Sequence, residues 1–175
     1  MDGNELIIDA LGRVQRILHR SLEGLSATDV NRQPVPHANS MAWLAWHLTR
    51  IQDDHVADIG GVPQVWLSGD WPARFNRKAE PKETGHADTL EQVAALQVDS
   101  PALLLAYHDA VYAQSKAVLA KLSPQDLELE LNEPQYTPLP TVGVRLVSVV
   151  SDNTQHAGQV AYLRGYFQGL GGFGA

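Results

Sequence analysis

The chain has 175 residues, a formal net charge of −7 and no cysteine. It is long enough to close one substantial core. It is too acidic, and too sparing of clustered Lys and Arg, to read as a nucleic-acid binder, and it has no thiol of its own for a disulfide, a metal or a nucleophile.

No apolar run reaches the roughly 18 residues of a membrane span, and the opening Met1–Glu5 lacks the basic region of a signal peptide. The expectation is a soluble, cytoplasmic protein without a membrane partner, folded as a single domain over 1–175. The first helix is expected from Asn4 to about Leu25, where Leu6, Ile7, Ala10, Leu11, Val14, Ile17, Leu18 and Leu22 recur on the helical beat. Ser26–Asp29 has the form of a capping box, and Gln33–Asn39 is a loop stiffened by two prolines. Asn39 or Ser40 then caps a helix to about Ile59, stopped by Gly60-Gly61.

Residues 60–88 carry Gly, Pro, Trp66, Trp71 and Phe75 without a period, so a lid or binding wall is expected there. Thr89–Gln92 is a second capping box, opening a short helix to about Leu96. Ser100-Pro101 starts a long helix to about Leu122. Ser123–Thr141, with prolines at 134, 138 and 140, connects it to a last helix from about Thr141 to Gln168. No segment alternates like a strand. The fold class expected is all-α, a four-helix bundle with long crossover connections. The tail 169–175 matches a dinucleotide fingerprint in spacing only, since neither strand nor helix frames it; it is read as a flexible glycine-rich end.

Asp152 and His156 are four residues apart on the last helix, and therefore on one face. Gln159, Ser148 and Arg145 fall near the same stripe. An Asp-x-x-x-His pair with one histidine from a facing helix, His47, makes a three-ligand site for Zn²⁺, with Ni²⁺ or Fe²⁺ as other occupants, and leaves a position open. The repeated Glu-x-x-His pairs of a di-iron bundle are missing. Asp54 and His55 read as helix-end groups, and His19, His37, His86 and His108 as surface or structural.

Asn39–Asp54, read as Asn-Ser-Met-Ala-Trp-Leu-Ala-Trp-His-Leu-Thr-Arg-Ile-Gln-Asp-Asp, together with Asp152-x-x-x-His156-x-Gly-Gln159, resembles the DinB/YfiT-like superfamily. The likeness is greatest to actinobacterial mycothiol S-transferases and to the N-terminal domain of mycothiol-dependent maleylpyruvate isomerase, and it extends over almost the whole chain, including Gln64–Trp66 and Thr141–Ser148. The resemblance implies a divalent metal held by His47, Asp152 and His156. Many members have histidine where this chain has Asp152, and the isomerases have glutamate.

It further implies a small thiol, mycothiol or a relative, as cosubstrate, with a metal-stabilised thiolate attacking an electrophile in detoxification. Gln159 and Arg145 are then candidates for supporting the ligands or the thiol. Trp43, Trp66, Trp71 and Phe75 are candidates for the wall of the substrate site. The alternatives are a metal-dependent hydrolase and a non-catalytic, damage-inducible binding domain. A homodimer is compatible with the apolar helix faces and favoured by the resemblance.

Overall fold

The computed structural model describes residues 2–169; the glycine-rich tail expected to be flexible lies, from residue 170 on, outside the described residues. Helix α1 spans Gly3–Leu22. It begins earlier than its apolar beat, because Asp2 accepts from the Glu5 amide at 2.9 Å while Glu5 accepts from the Asp2 amide at 3.0 Å. The box at Ser26 and Asp29 opens α2, Ala27–Asn31. Ser40 caps α3, Met41–Gly60, accepting from the Trp43 amide, and Gly61 ends it in the left-handed region at φ 58°. Within the excursion that follows, the structure adds a 3-10 turn at Val65–Leu67 and one α-helical turn, α4, Trp71–Arg74. Helix α5, Leu90–Ala95, starts at the Thr89–Gln92 box. Helix α6, Pro101–Leu119, starts at Ser100, and α7 runs the full Val142–Gln168. Among the described residues there is no strand, only an isolated bridge between Glu130 and Thr141.

The four long helices form the bundle, and hydrogen bonds fix their directions. The Asn4 amide side chain donates to Leu122 O, so α1 and α6 are antiparallel. Arg164 donates to Ser21 O at 3.0 Å, which sets the ends of α7 and α1 together and makes them parallel. Thr49 with His108, and Gln52 with Ser115, pair α3 alongside α6, while Gln52 with Asn153 sets α3 antiparallel to α7. The order is up, down, down, up, and the α3-to-α6 step is the long crossover.

Two apolar clusters fill the bundle. One is built on Leu18, Trp46, Leu104, Tyr107 and Val160, the other on Leu11, Val56, Leu119, Leu146 and Val149. Between them lies a buried polar layer. Asn153 donates to Gln52 Oε1 at 2.7 Å, Gln52 donates to Ser115 at 2.9 Å, and Thr49 meets His108 Nδ1 at 3.0 Å. Cross-helix pairs of this kind fix how helices register against one another, because any slip breaks them in an apolar medium, although Asn153 Oδ1 and His108 Nε2 stay unpartnered.

Helix α3 is the centre of the molecule, since every residue from Met41 to Arg50 is buried. An ordinary bundle helix keeps one face in water. Here the outer face is covered by residues 61–88, which are pinned by Arg50. This fully enclosed guanidinium donates to Glu83 O, Pro81 O, Gln64 Oε1, Asp53 and Tyr107 at 2.8–3.1 Å. Asp53 in turn accepts from the Val65 and Trp66 amides at 2.9 and 2.8 Å. The excursion is thus a wall fastened to α3.

Candidate metal centre

His47 reaches from α3 toward α7, where Asp152 and His156 stand one turn apart. The three ligand atoms lie within 4.8 Å of one another. Asp152 Oδ1 is 4.0 Å from His47 Nε2 and 3.5 Å from His156 Nε2, and the two imidazoles meet edge to face at 5.0 Å. Ligands of a tetrahedral zinc at ~2.0 Å bonds sit roughly 3.3 Å apart, so this set closes on an ion with small side-chain rotations. Two neutral imidazoles and a carboxylate are a donor set for zinc, nickel or ferrous iron. Among the described residues no fourth His, Cys, Asp or Glu joins them.

Both rings donate from Nδ1. His47 Nδ1 lies 2.5 Å from the Thr84 carbonyl oxygen, and His156 Nδ1 lies 2.7 Å from Gln159 Oε1. A carbonyl oxygen only accepts, so each Nδ1 carries a hydrogen and each Nε2 is turned toward the other ligands. That of His47 keeps its lone pair, while that of His156 faces the Asp152 carboxylate, which favours a proton there that a cation would displace. Asp152 supplies the complementary sign of an unfilled ligand. Its Oδ2 is buried with no hydrogen-bond partner, an arrangement that costs free energy unless a cation or a donor arrives. Burial lowers the pKa of His47, against the opposing pull of the Thr84 carbonyl and Asp152. Asp152 raises that of His156, against burial.

The structure sorts the other expected site residues. Trp43 stacks flat on His47, 4.7 Å between ring centres, and its indole donates to Asp88 at 2.9 Å. Gln159 is at the site, on His156. Trp66 and Phe75 are completely buried, packed on each other and on Tyr107, so they offer no surface to a ligand and hold up the wall from behind. Trp71 is half-buried beside Tyr107 and under Arg74. Arg145, in the first turn of α7, is taken up by Glu133 and lies over Tyr136, two residues of the connection, and is not among the ligands. Asp54 binds Lys82 and Gln64, and His55 stays outside the cluster, its pKa lowered by burial and by Arg145.

Thr84, Gly85 and Asp88 escape a reading of residue types, because Thr84 acts through its backbone; the one mark in the sequence is the glycine beside it. A groove of about 990 Å³ runs over α1 and α7, past Leu6, Ile7, Val144 and Val147 to Asp152 and Gln155, and shares Asp152 with the ligand set.

An up-down-down-up bundle with two imidazoles and a carboxylate meeting between its second and fourth long helices is a protein of the DinB-like class. The mycothiol-S-transferase family model matches residues 6–169, and the chain belongs to that family. It is similar to a solved structure titled as that of a conserved protein from Enterococcus faecalis, with 28% identity, a TM-score of 0.87, and 97% of this chain and 99% of that one covered. No curated protein matches the chain.

Proposed function

We propose that this protein is a metal-dependent S-transferase that joins a mycothiol-like thiol to an electrophile, working in the cytoplasm in detoxification. The observation that carries the reading is the three-residue donor set, with both Nε2 atoms already aimed inward and Asp152 Oδ2 unmet. A divalent ion held there, with zinc the first choice, supplies a Lewis acid that lowers the pKa of a thiol from its usual value of about 8.5.

The chain's own residues do the rest. His47, Asp152 and His156 hold the ion, while the Thr84 carbonyl and Gln159 keep the imidazoles oriented. Trp43 covers one face of His47 and shields the centre from water on that side. The apolar groove that shares Asp152 with the ligand set receives the electrophile. Having no cysteine, the protein does not compete for it. In the transfer a carbon–sulfur bond forms as the leaving group departs with its electron pair, and the thiol proton passes to solvent.

The test begins with elemental analysis of untagged protein beside His47→Ala/His156→Ala. About one equivalent of zinc, nickel or iron is expected in the parent and none in the double variant. Conjugation of a haloalkyl fluorophore with and without mycothiol follows. Turnover without thiol would move the reading to a hydrolase. An absence of metal, even after reconstitution, would leave a non-catalytic binding domain.

A further inference from the structure

We propose that the turn at residues 84–88 is the positioning element of the metal centre: it locks His47 in the tautomer that presents the Nε2 lone pair to the other ligands. The inference rests on the three-residue metal site and adds a role for residues outside it. His47 cannot choose its tautomer alone, since an isolated imidazole exchanges its proton between both nitrogens. The Thr84 carbonyl at 2.5 Å makes the choice by accepting from Nδ1, and that carbonyl is held from both sides.

Upstream, Arg50 grips Pro81 O and Glu83 O at 2.8 Å each. Downstream, Asp88 accepts from the Trp43 indole and pairs with Arg77, whose guanidinium lies 4.4 Å from the centre of the Trp46 ring. Between these anchors the backbone is left-handed at two positions, φ 82° at Gly85, where glycine adopts it freely, and φ 64° at Ala87, where a Cβ makes it costly. A non-glycine residue in the left-handed region marks a turn that its surroundings over-determine.

Gly85 is where the device can be broken. A Cβ there would stand 2.7 Å from Trp46 Cζ3 and 3.0 Å from Trp43 Cζ2. Trp46 is fully buried and Trp43 nearly so, so the turn must lift and carry the Thr84 carbonyl off His47. Gly24 is the matched control: its φ is 73°, but its Cβ would meet nothing within 4 Å, so alanine there incurs the same backbone strain without moving the turn.

The experiment compares parent, Gly85→Ala and Gly24→Ala by long-range ¹H–¹⁵N spectra of the metal-free imidazoles and by zinc affinity in competition with a chromophoric chelator. His47 in the parent is expected as the Nδ1–H form. Gly85→Ala should show mixed tautomers at His47, unchanged His156 signals, and zinc affinity lower by about 10- to 100-fold. Gly24→Ala should match the parent in both readouts. Asp88→Ala, which removes the downstream anchor without a clash, should shift both in the same direction by less, and it decides the matter if Gly85→Ala does not fold.

An Nε2–H form of His47 in the parent overturns the proposal, as does a folded Gly85→Ala with the parent's tautomer and affinity. A parent that binds no zinc yet loses its His47 tautomer in Gly85→Ala would refute the metal reading and uphold the positioning role.

Discussion

His108 lies wholly enclosed between α3 and α6, its Nδ1 on Thr49 and its Nε2 without a partner. Burial pushes its pKa down to about 4, opposed weakly by Asp109 and helped by His19. The sign follows from proton counting. Below its ordinary value of about 6.5 the unfolded chain takes up a proton that the folded chain refuses, so stability falls as pH drops and the loss is complete below about 4. The expected loss is roughly 3 kcal/mol, at about 1.4 kcal/mol per pH unit over that interval. His108→Phe should flatten that dependence while changing stability at pH 7 by about 1 kcal/mol or less, because an unmet acceptor is removed together with the ring that carried it. Urea titrations at pH 7 and pH 4 on parent and variant check both. This histidine read as merely surface or structural in the sequence, since a residue type does not state its depth. Asp152 and His156 were visible because helical spacing alone places them together. Trp66 and Phe75 looked like site walls because an aromatic in an aperiodic stretch carries no sign of which way it faces.

The elements whose starts are chemically encoded, at Ser26, Ser40, Thr89 and Ser100, begin where the capping residues say. The boundaries that moved lack such marks. Helix α6 stops at Leu119, short of Leu122, and the turn at Trp71–Arg74 is shorter than the period a pattern needs. The burial of α3 on every side from Met41 to Arg50 was also hidden, because it depends on the crossover folding back onto the helix. Arg50→Met should therefore cost about 3–5 kcal/mol, leaving the Asp53 carboxylate enclosed without its cation. Removing the exposed Arg13 from its pair with Asp9 should cost about 0.5 kcal/mol or less. The same Arg50 variant should be cut faster by protease within residues 61–88, as the wall loses its pin. Equal denaturation midpoints for Arg50→Met and Arg13→Ala would refute this account of the excursion.

At the scale of the whole molecule, the ligand set joins chain segments that meet only when α3 and α7 dock. His47 precedes the crossover, and Asp152 and His156 follow it, with all of α6 in between. A chain still lacking α7 holds one imidazole and no site, so loading comes last in the order of assembly. On the proposed reading a bound ion is then a reporter of completed folding and a latch on it. At one hundred times its dissociation constant, zinc should raise the unfolding free energy by about 2.7 kcal/mol, and His156→Ala should erase that gain. Amide exchange should slow most in α7 around residues 149–160, the stretch facing α3, and least in α1. Starvation for the metal would accordingly loosen the last helix first, making the carboxyl-terminal end of the bundle the part of the protein through which metal supply governs its lifetime.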